Sequence, residues 1–252
     1  MSFAEGVRDH LPEGMHLPDA FAVTFDWLEA QGWGGVFRQA DPGAFSSRYL
    51  SIYPPEQMDQ PGGSYVLFSF EAGPPLHAPP PEAMARISMI AQIAGDGGTL
   101  SLWLDDTGKQ WFVVFNHGTP HVLTDDPLKV LQFLAMGYPE PGALFDARAT
   151  PQEEAGGDTL TLPTAFREFL EGQFSVHIPA RASDLGIVVP PDEVEDPIRH
   201  WLDQVMPEPE IGAIPGMTAE NPYIITSELR EVLEDEGIAA IREAYEFVIE
   251  EE

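Results

Sequence analysis

None of the 252 residues is cysteine, so neither a disulfide nor a thiolate-bound zinc ion can hold this chain together. Any fold it adopts must rest on apolar burial and backbone hydrogen bonding. The material is present: 43% of the residues are hydrophobic and 10% aromatic, unlike the polar, self-repelling composition of disorder. The same absence excludes cysteine nucleophiles. At about 100 to 200 residues per domain, the length allows one large domain or two modest ones. The opening Met1-Ser2-Phe3-Ala4-Glu5-Gly6-Val7 lacks the basic segment and apolar run of a secretory signal. No later stretch approaches the roughly 20 apolar residues that span a bilayer. Together these predict a soluble, cytoplasmic protein without a membrane partner.

Acidic residues number 42 against 12 basic ones, a formal net charge of -30. Residues 1–126 hold 16 acids and 5 bases, and 127–252 hold 26 and 7, so the excess grows from -11 to -19 along the chain. A field of this sign repels phosphate backbones and anionic membranes and speeds encounter with basic partners. Direct nucleic-acid binding is therefore not expected, and a basic protein partner is. An acidic proteome or a salty cytoplasm would give the same count, and the presence of just two lysines, Lys109 and Lys129, fits that origin equally.

After a short polar lead, Phe21, Phe25 and Leu28 recur at helical spacing behind Leu17-Pro18-Asp19, and Gly32, Gly34 and Gly35 end the helix. Arg48–Tyr53 and Tyr65–Phe70 carry the aromatic and β-branched residues of strands. Pro79-Pro80-Pro81 leads into an expected helix from Glu82, with Met84, Ile87, Ile90, Ala91 and Ala94 as its stripe. A glycine turn, Gly95-Asp96-Gly97-Gly98, then introduces a β-hairpin of Thr99–Leu104 and Gln110–Asn116 joined through Asp105-Asp106-Thr107-Gly108-Lys109. Asp125 or Asp126 caps a helix with Pro127 in its first turn and Gly137 beyond its end. Pro139 to Asp158 reads as a linker or long loop. Helices are expected at Pro163–Leu170, Asp196–Leu202 and from Ser227 onward, the last with 10 acids and 2 arginines, and a short strand at Gly186–Val189. The organisation predicted is an α+β unit over 1–138, the linker 139–158, and a mostly helical acidic portion over 159–252 that either stands apart or packs on the first.

Three segments carry a family resemblance: Leu17-Pro18 with the helix to Leu28 and its glycines, Ile93-Ala94-Gly95-Asp96-Gly97-Gly98-Thr99-Leu100, and the second hairpin strand followed by Leu128 to Met136. In this order they resemble the SUKH superfamily, whose members include bacterial toxin-immunity proteins and a fungal cell-wall regulator. The likeness covers roughly residues 10–138. It implies an α+β fold with a twisted, mainly antiparallel sheet backed by helices. It also implies an immunity protein that binds and neutralises a cognate bacterial toxin, such as a nuclease encoded nearby. The acidic field has the sign needed to meet a basic, nuclease-like partner. The alternatives are a non-enzymatic regulatory or scaffold protein that takes a basic partner through its acidic surface, and a hydrolase with dispersed carboxylates.

The residue patterns point to no catalytic, metal or cofactor site. His117 and His121 have zincin-like spacing, but Gly118 and Pro120 oppose a helix there. The glycine turn lacks a Walker lysine, no Gly-x-Ser-x-Gly elbow occurs, and 42 acids make some carboxylate pair inevitable. Neither Asp105-Asp106 nor Asp125-Asp126 has the ligand spacing of a calcium loop. The expected partner-binding set is Asp105, Asp106, Asp125 and Asp126, with Trp33 among glycines and Tyr53 before Pro54-Pro55 as aromatics expected to be exposed.

Overall fold

A computed structural model describes residues 1–38, 46–58, 60–70, 75–76, 79–95, 97–116, 119–143, 145–187 and 196–206. The helix expected from Ser227 lies outside these residues, as do Asp96, His117 and part of the expected strand Gly186–Val189. Met1–Met206 form one compact unit. Among the described residues no helix is long and apolar enough to cross a membrane.

The segment that reads as a polar lead is a helix, α1 (Phe3–His10). Ser2 starts it through a capping box, its hydroxyl accepting from the Glu5 N–H at 3.2 Å while the Glu5 carboxylate accepts from the Ser2 N–H at 2.6 Å. Phe3, Ala4 and Val7 form its buried face. Helix α2 (Asp19–Ala30) buries Phe21, Phe25 and Leu28, as their spacing requires.

Seven strands among the described residues then build one sheet: β1 (Gly34–Arg38), β2 (Ser46–Ser51), β3 (Leu67–Phe68), β4 (Ile87–Gln92), β5 (Thr99–Leu104), β6 (Gln110–Asn116) and β7 (Thr119–Thr124). Each is antiparallel to the next, and their order in the sheet is their order in the chain. The α+β class read from the sequence is therefore the one observed, with the sheet wholly antiparallel.

One expected helix is in larger part a strand. The helix α3 (Pro81–Arg86) stops after six residues, and the stripe assigned to its continuation is β4. Ile87, Met89, Ile90 and Ala91 are all buried because both faces of this strand are covered, so their pattern is continuous rather than alternating. Such a run fits a buried strand as well as a helix.

One face of the sheet is covered by α1, α2, α4 (Pro127–Ala135) and α6 (Thr164–Phe174). Phe21 stacks on Phe112 with centroids 5.1 Å apart, Phe25 meets Phe68 edge-on at 5.0 Å, and Phe3 meets Phe25 at 5.1 Å and Phe70 at 5.0 Å. Each such ring contributes about 1.5 to 3 kcal/mol of burial. The other face carries Trp103, Val113, Phe115 and Val122 against Ala83 of α3 and Ile198, Trp201 and Leu202 of α7 (Pro197–Val205).

Residues beyond 138 share the first core. Phe166 and Leu170 of α6 are buried in it, and Phe169 stacks on Trp27 at 4.2 Å with ring planes 11° apart. The interval expected as a linker holds the short helix α5 (Pro151–Glu154) and lays Phe145 over Tyr138 at 4.4 Å.

The register fixes what emerges at each end of the sheet. Ser51, Leu67, Gln92, Thr99 and Phe115 lie opposite one another in succession. The segments after β2, before β3, after β4 and before β5 therefore leave at one end. The β5–β6 turn and the residues following β7 leave at the other.

Candidate functional site

The six residues of the expected partner-binding set divide between these two ends. Asp105, Asp106, Asp125 and Asp126 stand at the hairpin end, where the chain itself engages all four. Asp105 closes the turn: one carboxylate oxygen accepts from the Thr107 N–H at 2.8 Å, the Thr107 hydroxyl at 2.7 Å and the Lys109 N–H at 2.9 Å, and the other from the Trp111 indole at 2.9 Å. Burial acts to raise its pKa, but these four donors outweigh it and bring the carboxyl down to about 2. Asp106 pairs with Arg86, whose guanidinium also lies 5.6 Å from the Trp201 ring centroid. Asp125 accepts from Lys109 at 2.6 Å, and that bond chiefly holds its carboxyl below the ordinary value. The same ammonium stands 3.6 Å from the Trp111 ring centroid. Asp126 caps α4, accepting from the Leu128 N–H at 2.9 Å and the Lys129 N–H at 3.4 Å.

Trp33 and Tyr53 are at the opposite end, and the exposure expected of them is not found. Trp33 is 8% exposed and Tyr53 3%. The glycines beside Trp33 belong to β1 and the turn before it, which lay its ring edge-on against Trp27 at 5.0 Å. Tyr53 lies inside because its hydroxyl has work there: it donates to the Thr161 carbonyl at 2.7 Å and accepts from the Ser64 N–H at 2.9 Å. Burial, partly offset by the bond from Ser64, pushes this phenol up to about 12.

That hydroxyl ties down the segment 159–163, which crosses this end of the sheet. The Thr161 N–H donates to the Gly62 carbonyl at 2.8 Å and its hydroxyl to the Pro61 carbonyl at 3.0 Å. Gly62 is required for the crossing: its φ is +76°, and a Cβ would sit 1.6 Å from the Thr159 carbonyl oxygen.

Cavities open on both sides of the crossing. One of about 350 Å³ is lined by Trp33, Tyr53, Gln57, Gln60, Leu162 and Glu168 among others. A second, of about 440 Å³, is bounded by Gly62, Gly63, Tyr65, Tyr138, Phe145, Glu140 and Glu154, with Pro139 and Ala143. Among the described residues no lysine or arginine lines either. Burial, and then the neighbouring Glu140 carboxylate, raises the Tyr65 pKa. Both cavities pair aromatic walls with carboxylates, a lining suited to a cationic group. Among the described residues no cluster of three or more His, Asp or Glu side chains is placed to hold a metal ion.

Sequence reasoning named Trp33 and Tyr53 but not Tyr65, Tyr138, Phe145, Glu140, Glu154 or Glu168. The Pro-Glu-Pro-Gly run at 139–142, read as linker composition, was the available signal: such residues build a fixed loop as readily as a loose one. No family model, curated protein or solved structure matches the chain.

Proposed function

We propose that this is a non-enzymatic binding protein of the cytoplasm that captures a basic protein partner, as a SUKH-like immunity protein occupies its toxin. One observation carries the reading. The two cavities at the Tyr53 end bring three carboxylates, Glu140, Glu154 and Glu168, to aromatic-walled hollows with no basic residue among the described residues of their linings. The hairpin aspartates, in contrast, are engaged by Lys109, Arg86 and backbone N–H groups. The cavity end is thus where carboxylates without a cationic partner among the described residues meet shaped surface, and a cationic surface complements it.

Co-purification of the full chain with the product of the neighbouring gene tests this. The expected result is a complex that weakens steeply with added salt and a partner whose activity falls on binding. A neighbouring product that is no toxin, together with no association with basic proteins at low salt, would sink the idea.

A further inference from the structure

The geometry points to the 440 Å³ cavity as the receptor for one arginine side chain of the partner, an assignment that rests on the basic-partner reading above. Its walls are held from behind. Tyr138 donates its hydroxyl to the Ala149 carbonyl at 2.7 Å and accepts from the Ala182 N–H at 3.1 Å, which fixes the ring against which Phe145 lies. Tyr65 is placed by its own N–H, which donates to the Pro139 carbonyl at 2.7 Å.

The two carboxylates stand on equally fixed backbone. Glu140 accepts from the Gly95 N–H at 3.2 Å through one oxygen. Glu154 ends α5, a turn locked by the Thr150–Glu153 capping box and by the buried Pro151. The capping-box bonds measure 3.2 Å to the Thr150 hydroxyl and 2.7 Å to the Glu153 carboxylate.

A guanidinium suits this lining on three counts. Its flat face stacks on aromatic rings, its N–H fork engages a carboxylate at two points, and it sheds water more readily than an ammonium does. The aliphatic stem can lie along Pro139 and Ala143, which also line the cavity.

The test is a titration of the ¹⁵N-labelled full chain with acetyl-Gly-Arg-Gly-amide, its lysine counterpart, and its citrulline counterpart, which keeps the shape and loses the charge. The arginine peptide is expected to shift the amide signals of Gly63, Tyr65 and Phe145. The citrulline peptide is expected to bind at least about tenfold more weakly, and the lysine peptide in between. Glu140→Gln keeps an acceptor for the Gly95 N–H and removes only charge, so the double variant E140Q/E154Q should fold and lose at least about tenfold in affinity. E13Q, at an exposed residue that lines neither cavity, should bind as the parent does.

Equal binding of the citrulline peptide, shifts confined to other amides, or an undiminished E140Q/E154Q overturns the assignment. A lysine peptide that matches the arginine one overturns the choice of guanidinium. The wider reading fails separately. A neighbouring-gene product that still binds E140Q/E154Q in a salt-sensitive way removes this cavity from the interface and leaves that reading standing, whereas no association with the parent chain takes down both.

Discussion

At the scale of single residues, Tyr53 ties two distant segments of the chain together. Replacing it with Phe strands the Thr161 carbonyl and the buried Ser64 N–H, and should cost about 1 to 3 kcal/mol in denaturant unfolding. The pH dependence has a definite sign. An unfolded chain releases the Tyr53 proton near pH 10 and the folded one near 12, so its contribution is full below pH 10 and drains as pH rises to 12. Tyr53→Phe should flatten that alkaline limb of the stability curve. His121 acts at the other extreme. Burial, and then the Arg199 charge, lowers its pKa from 6.5 to about 4, so the stability tied to its neutral ring is full above pH 6.5 and lost as pH falls toward 4. His121→Gln should remove that loss, read as urea midpoints at pH 4 and 7. A third residue gives the opposite kind of result. Ser101 is fully buried and its hydroxyl has no hydrogen-bond partner among the described residues, so Ser101→Ala should leave stability unchanged or raise it by up to about 1 kcal/mol.

At the scale of elements, Asp196 joins a helix to a sheet edge. One oxygen caps α7 through the Ile198 N–H at 3.0 Å, and the other accepts from the Val122 N–H of the outermost strand β7 at 2.8 Å. Asp196→Ala leaves two N–H groups without these bonds and should cost about 2 to 4 kcal/mol, with faster hydrogen exchange at Val122. The Asp-Pro start of this helix was legible in the sequence, as were α2, the β5–β6 hairpin and an aspartate cap on α4, which the sequence left between Asp125 and Asp126, because each is specified by neighbours in the chain. What escaped depends on distant ones. Whether Ile87–Gln92 is strand or helix is decided by the layers on both its faces, and the Gly34-Gly35 pair that reads as a helix stop is also the start of β1. The Asp105 turn was legible as a turn. That its carboxylate is consumed by Trp111 was not, and neither was the cavity assembled from residues 62–65, 138–145 and 154.

At the scale of the whole molecule, the net charge of -30 opposes compaction wherever acids lack a cation. Screening shortens the reach of that repulsion from about 30 Å at 0.01 M salt to about 3 Å at 1 M. The melting temperature should accordingly rise with sodium chloride, and a flat melting temperature would mean that the acids are too dispersed to repel. The sheet's connectivity adds a consequence for synthesis. Every strand lies beside its immediate predecessor, so the sheet can be laid down in the order the ribosome delivers it, without waiting for a distant segment. Its helical cover is not delivered in that order: α1 and α2 precede the first strand, while α4 and α6 on one face and α7 on the other follow the last. A nascent chain halted after β7 would present all seven strands with part of both apolar faces bare, the stage at which a chaperone has most to hold.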